Sequence, residues 1–387
     1  MRRLKFIPTI VVKYLMRFFY GLFSVLYKVD GKKITFASYR SDKLKDNLYC
    51  VYKEMERKYP SYKRNLLFKQ FNSSLTGKLN YIIHMIRACY HLATSRYFII
   101  DDYYIPVYLI KPRKNTEVIQ LWHSAGALKK FGLSTIGKPY GPSKDYLKHV
   151  KIHSNYSKAY VSSEGVRKYF AEAFGMHKDQ IYPLGVPRTD YFYSESRSIN
   201  VREQFFQTYP EIEGKKLLLY APTFRGKGHY QDIFECPFDM EYMKDALEDD
   251  YVLLIHLHPY MQGKLKLSED LTGFAYHIYE AYTIQELLLL TDILITDYST
   301  VFFDFSLLNR PIIFYPYDLD EYRRERDFYY TYEELIPGPL VMDTESLIAL
   351  IQKNKFDTSK LTRFRNQFFD HQDGRVTERI VEHIMNN

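Results

Sequence analysis

Short apolar runs rich in β-branched and aromatic residues alternate along this chain with longer stretches whose apolar positions recur every three or four residues. In the first half the runs are KITFASY, NLLFKQF, RYFIIDDY and EVIQLWH, then KAYVSS and IYPLGV, with YCVYKEMERKY and KLNYIIHMIRACYHLA standing between several of them. Runs of that length predict strands, and the stretches between them predict helices. After a polar segment at 194–207 the pattern restarts with KLLLYAP, DYVLLIHLHP, FAYHIY, DILITDYS, PIIFYPYD and PLVMD. Strands alternating with helices predict a mostly parallel sheet flanked by helices, here twice over.

A chain of 387 residues exceeds what one hydrophobic core usually fills. The expected fold is therefore α/β, two Rossmann-like doubly wound domains facing a cleft, the GT-B architecture. Its expected bounds are an N-terminal helix at 1–30, a first domain at 31–200 and a second at 201–387.

The N-terminal stretch has its own pattern. On a helix, Thr9, Lys13, Arg17, Tyr20, Ser24 and Lys28 share one face, opposite Val11, Leu15, Phe18 and Leu22. A signal peptide needs an unbroken apolar region and a cleavage site, and neither is here. Spanning a bilayer is disfavoured by Lys13 and Arg17, each costing about 2.5 to 3.5 kcal/mol at its centre. The reading is a basic amphipathic helix lying on an anionic membrane surface, with a helix packed on the protein's own core as the alternative.

Composition changes this picture only at its edges. A hydrophobic fraction of 46%, with 38 Tyr and 27 Phe, describes a folded protein. Cys50, Cys89 and Cys236 form no CxxC pair, which leaves neither a disulfide framework nor a zinc site. The net charge of +8 fits nucleic acid, anionic membrane or phosphorylated substrates equally. No GxxxxGK[ST] occurs and no GxGxxG opens a helix, which argues against P-loop kinases and dinucleotide oxidoreductases.

Polar residues gather where the strands end, the place at which open α/β sheets bind ligands. EVIQLWH runs into HSAGALKKFG, setting His123 at a strand end with Ser124, Gly126 and Lys129 in the turn or first helical turn beyond. An imidazole titrates near working pH and suits a general base. In LLIHLHPY, Pro259 ends a buried strand, and His256 and His258, two apart, project to one side. No third ligand stands at metal-site spacing, so proton transfer or phosphate contact is expected rather than a metal.

TDILITDYSTVFFDF carries an apolar strand into Asp297, Tyr298, Ser299 and Thr300, then into an apolar helix holding Asp304. Helix-start N–H groups and two hydroxyls suit a phosphate. APTFRG puts Thr223 and Arg225 at another strand end, where a guanidinium can clamp a diphosphate. YRRERDFYY adds Arg323, Arg324 and Arg326. Asp318-Leu319-Asp320 is formally a DxD and reads as a chance match in an acidic loop.

Taken in order, LWHSAGALKKFG, SSEG, LGVPRTDYF, APTFRG, HLHP, TDYSTVFFDF and DFYYTYEELIPGP resemble the CDP-glycerol glycerophosphotransferase family of teichoic acid synthesis. The likeness runs from Ile34 to Val341. It implies an enzyme peripheral on the cytoplasmic face of the cell membrane, which transfers a polyol phosphate from CDP-glycerol or CDP-ribitol to an undecaprenyl-diphosphate-linked saccharide. Neither cofactor, metal nor nucleic acid belongs to that expectation.

The resemblance makes His123 and His258 the catalytic pair. It assigns Thr223, Arg225, Asp297, Ser299, Thr300, Asp304 and Arg326 to the donor, and Ser124, Gly126, Lys129, Glu164 and Arg188 to the acceptor side. HSAGALKKFG and the short length resemble the priming enzymes that add a first glycerol phosphate, whereas His256 departs from the Lys or Arg usual at its position. The expected transfer is therefore glycerol phosphate from CDP-glycerol, with CDP-ribitol transfer or a short-chain polymerase as the alternative; a nucleotide-sugar transferase of the same architecture, with Asp318 and Asp320 on a metal, and an inactive membrane scaffold also stay open.

Overall fold

The structure, a computed structural model, describes residues 6–71, 74–224, 234–258 and 265–386. The chain divides into two compact units, Met1–Asp190 with Phe369–Asn387, and Tyr191–Phe368.

The first unit runs α1 (Ile7–Leu26), β1 (Asp30–Ser38), α2 (Asp46–Lys58), β2 (Lys63–Phe68), α3 (Leu75–Thr94), β3 (Ser95–Ile100), α4 (Ile105–Leu109), β4 (Glu117–Gln120), α5 (Lys144–His149), β5 (Lys158–Tyr160), α6 (Glu164–Phe174) and β6 (Ile181–Tyr182). Its six strands are parallel in the order β2-β1-β3-β4-β5-β6. Ile34, Phe36, Tyr97, Ile99 and Ile119 share one face with Leu48, Val51 and Met55 of α2. Thr35, between the first two, points the other way, to His91 of α3. Both faces are covered, as a parallel sheet requires.

The second unit holds β7 (Lys216–Tyr220), β8 (Tyr251–Ile255), β9 (Ala275–His277), β10 (Ile293–Thr296) and β11 (Ile312–Phe314). They are parallel in the order β11-β10-β7-β8-β9. Leu218, Tyr220, Leu253, Ile255 and Ile295 pack with Met243, Leu247, Leu347 and Ile351 of two flanking helices. The alternate residues Leu217, Leu219, Leu254 and Leu294 are also buried.

Two expectations change. PLVMD forms no strand but a single bridge from Leu340 to Phe314, because Pro337 and Pro339, the latter its own first residue, lack the N–H groups and freedom a ladder needs. The terminal helix Val376–Asn386 joins the first unit rather than the second. Its Val376, Ile380, Val381 and Ile384 lie in the core beneath α2. The Asp190 carboxylate accepts from the N–H groups of Val376 and Thr377 at 2.8 and 2.7 Å. Lys58 of α2 reaches Glu378 and Glu382, both at 2.6 Å.

Candidate active site

In the first sheet the chain order reverses between β1 and β3, which opens a crevice at their carboxyl ends. Pairing levels Ala37, Ile100 and Gln120, so Arg40, Asp101, Asp102 and His123 leave adjacent strands at the same height. His123 Nδ1 lies 3.3 Å from Asp102 Oδ2, and Arg40 Nε lies 3.2 Å from the same oxygen. Arg40 also stands 3.9 Å from Asp101. Burial pushes the Asp102 carboxyl up to about 7, with Arg40 pulling it down and Asp101 pushing it further up. Asp101 is raised by burial as well. A carboxylate at that distance from Nδ1 favours an imidazolium by charge, which is what a general base needs.

The backbone around His123 is held as firmly as its ring. Trp122 adopts φ of 52°, a left-handed conformation costly for a large side chain. Gln120 Oε1 accepts the Trp122 N–H at 2.8 Å, while its amide donates to the Asp102 carbonyl at 3.0 Å. Asn47 donates to the Trp122 carbonyl at 2.7 Å, and Arg188 Nη1 donates to the His123 carbonyl at 2.6 Å. The Asn47 side-chain oxygen in turn accepts the Arg188 N–H at 2.9 Å.

Arg188 is thus a buried support of the His123 loop, and its guanidinium is engaged with backbone. Nor does a helix begin after His123: residues 121–131 are irregular and the next element is the 3-10 segment Gly132–Thr135. A loop built on buried Gly126 and Ala125 follows the chain better than a helix there. Ser124 Oγ donates to the Gly126 carbonyl at 2.8 Å, and Ser162 donates to the Ala125 carbonyl. Lys129 is half-buried in this loop. Glu164 opens α6, with its N–H on Asp370 at 2.8 Å and its exposed carboxylate on Arg167 at 2.9 Å.

The second sheet repeats the arrangement. Its order reverses between β7 and β10, and pairing levels Tyr220, Ile255 and Ile295. Thr223, His258 and Asp297 follow directly. Asp297, fully buried, accepts the N–H groups of Thr223 at 2.8 Å and Ser299 at 3.1 Å, so one carboxylate ties two strand-end loops together. Tyr332 donates to the Asp297 carbonyl at 2.9 Å. The exposed His258 ring stands 5.6 Å from that of Phe224. Arg225 and Pro259 lie outside the described residues.

Some sequence expectations take a different form here. His256 and His258 do not work as a pair, since His256 donates Nδ1–H to the Ile278 carbonyl at 2.8 Å and is held below its ordinary pKa by burial. The helix after Ser299 and Thr300 is only Val301–Ser306, with no side-chain cap from Thr300. So short a helix has little dipole, and any anion held there depends on loop N–H groups and hydroxyls. Asp304 is buried within it. Asp318 accepts the Tyr298 hydroxyl at 3.1 Å, while Asp320 is exposed and faces Arg323 at 3.9 Å, so the two carboxylates of the formal DxD have separate tasks. Arg326 is half-buried and closes the helix Leu319–Glu325, its N–H on the Tyr322 carbonyl at 2.7 Å. Among the described residues no cluster of three or more His, Cys, Asp or Glu could hold a metal.

Sequence reasoning overlooked Arg40, Asn47, Asp101 and Asp102. The signal was present in RYFIIDDY, two adjacent carboxylates at the end of an apolar strand.

A family model described as CDP-Glycerol:Poly(glycerophosphate) glycerophosphotransferase matches residues 18–386. The chain belongs to this family. It is 46% identical over 97% of its length to the teichoic acid ribitol-phosphate primase of Bacillus spizizenii, covering 96% of that protein. It is 35% identical over 88% of its length to the teichoic acid glycerol-phosphate primase of Bacillus subtilis, covering 89% of it. The wall teichoic acid polymerase TagF superimposes with a TM-score of 0.79 at 24% identity, over 100% of this chain and 96% of that one. The fold is GT-B, and this member of the glycerophosphotransferase family is a polyol-phosphate transferase of teichoic acid synthesis.

In this transferase α1 lies along α3, with Met16 and Tyr20 buried and Arg17 Nε donating to the Leu109 carbonyl at 2.9 Å. Its opposite face exposes Ile7, Val11, Tyr14, Phe18, Leu22 and Val25, spaced three or four apart. α3 adds exposed Leu75, Leu79 and Ile83. Among the described residues α1 is the one helix long and apolar enough to cross a membrane. A helix packed along its own domain with an apolar stripe turned outward has the form of an interfacial anchor.

Proposed function

We propose that this transferase moves ribitol phosphate from CDP-ribitol to a lipid-linked saccharide acceptor at the cytoplasmic face of the cell membrane, releasing CMP. The higher identity to the ribitol-phosphate primase, 46% against 35% for the glycerol-phosphate primase, supports ribitol over the glycerol expected from HSAGALKKFG. The observation that carries the chemistry is the 3.3 Å contact of His123 Nδ1 with Asp102.

With the Asp102 carboxylate facing Nδ1, Nε2 of His123 takes the proton of the acceptor hydroxyl. The oxygen attacks the ribitol-bearing phosphorus, a new P–O bond forms, and the P–O bond to CMP breaks with its electron pair leaving on the CMP phosphate. Thr223, Ser299, Thr300, Arg225 and His258 hold the donor's diphosphate and the charge that spreads over its oxygens. Arg326 and Asp304 shape that side, and Ser124, Gly126, Lys129 and Glu164 border the acceptor side. No step calls on a metal.

Labelled CDP-ribitol and CDP-glycerol, offered in turn with a lipid-linked disaccharide in excess EDTA, test the reading. CMP release and a single unit added from CDP-ribitol are expected. Exclusive use of CDP-glycerol favours the second reading, and no turnover with either refutes both. His123→Ala abolishes CMP release with donor affinity nearly intact.

A further inference from the structure

A pocket of ≈ 320 Å³ opens in the first unit beside the His123 loop. Tyr39 and Tyr103, the chain neighbours of Arg40 and Asp102, form two of its walls, and Tyr81 of α3, Tyr108 of α4 and Tyr146 of α5 form others. The Tyr103 ring lies 5.6 Å from that of Trp122, which lies 4.5 Å from the His123 ring. Tyr103 and the buried Trp122 thus connect the pocket wall to the imidazole.

Its chemistry is unlike that of the donor loops. No charged side chain lines it, so nothing there compensates a nucleotide diphosphate. Phenol rings offer apolar faces with a hydroxyl at the rim, which suits a neutral ligand whose ring has a C–H face and hydroxyl edges. A volume near the lower end of the about 300–1,000 Å³ of ligand pockets suits one or two sugar rings. Two walls are fixed beforehand: the Tyr108 hydroxyl bonds that of Tyr156 at 2.6 Å, and the Tyr81 ring stacks on His84 at 5.6 Å. Fixed rings around an open space lower the ordering cost of binding.

We propose that this tyrosine pocket is the acceptor subsite, and that it holds a saccharide ring of the lipid-linked acceptor, stacked on Tyr103 and Tyr146. The assignment rests on the transferase reading above and extends it to the second substrate. It also assigns a role to five aromatic residues outside the motifs.

Two readouts test it on the full chain. The first is steady-state kinetics of Tyr103→Leu and Tyr146→Leu, with Tyr146→Phe retaining the ring. The leucine variants are expected to raise the acceptor KM about 10-fold or more and leave the CDP-polyol KM within about twofold, whereas Tyr146→Phe stays near wild type. The second readout needs no turnover. Trp122 is the one tryptophan in the chain, so titrating a lipid-free N-acetylhexosamine disaccharide into wild-type protein shifts its fluorescence, and Tyr146→Leu abolishes the shift. Turnover of CDP-polyol with unchanged acceptor KM in the leucine variants and silent fluorescence overturns the subsite and leaves the transferase reading standing. A saccharide-dependent shift without CDP-polyol turnover does the reverse.

Discussion

Asp102 Oδ2 stands 3.3 Å from Nδ1 of His123 and 3.2 Å from Nε of Arg40, one oxygen shared between an imidazole and a permanent cation. In the mechanism proposed above, Asp102 acts through His123 as a positioning residue. Asp102→Asn is expected to lower kcat roughly 100-fold, within the about 10²–10⁴ that a positioned base contributes, with donor KM unchanged. Since the buried carboxyl titrates near about 7, kcat of the wild type rises with pH through that region, and the variant's profile shifts. Superimposable pH profiles would refute the role.

The same carboxyl has a stability signature. Its folded pKa is raised above the unfolded value near 3.9, so between about pH 4 and 7 the folded state binds a proton that the unfolded state has released. Asp102 thus contributes less to stability as pH rises through that window. Urea midpoints of wild type and Asp102→Asn at pH 5 and pH 8 check this: the wild type should lose more ground on the alkaline side.

Asp297 ties the loops after β7 and β10 through the N–H groups of Thr223 and Ser299. Asp297→Ala leaves both N–H groups without that partner, each loss worth about 1–3 kcal/mol. Weaker CDP-polyol binding with little change in acceptor KM is the expected outcome in calorimetry and kinetics.

Ending the chain at Phe368 removes Val376, Ile380, Val381 and Ile384 from the first unit's core. At about 1.5–3 kcal/mol for each buried aliphatic side chain, that loss rivals the whole stability of a domain, about 5–15 kcal/mol. The truncated protein should lose the first unit's thermal transition. Asp190→Ala, which removes only the cap on Val376 and Thr377, should cost about 1 kcal/mol.

Phe18 and Leu22 sit on the exposed apolar stripe of α1. Replacing both with Glu should shift the protein from pellet to supernatant when sedimented with anionic vesicles, without lowering its melting temperature. Retained binding would place the membrane contact elsewhere.

Much of the fold was legible because strands and helices announce themselves by period. KITFASY, RYFIIDDY, KLLLYAP and DYVLLIHLHP each became a buried parallel strand, since such runs can be buried on both faces only between helices. PLVMD read the same way and failed, because periodicity does not weigh the prolines beside it. The site was partly legible: His123 and His258 each stand three residues beyond the strands that carry them. The loop conformation after His123 was not, since hydrogen bonds from Asn47 and Arg188, remote in sequence, set it.

What the sequence by itself determined is the order of elements, the apolar stripe of α1 and the strand ends on which reactive residues sit, all consequences of spacing along the chain. What only the tertiary structure decided is partnership. Strand order set Arg40, Asp102 and His123 side by side across three strands, and packing brought Arg188, remote in sequence, onto the His123 carbonyl. The terminal helix went to the first sheet for the same reason: an apolar face shows in the sequence, but the surface that covers it is chosen by packing among residues far apart in the chain.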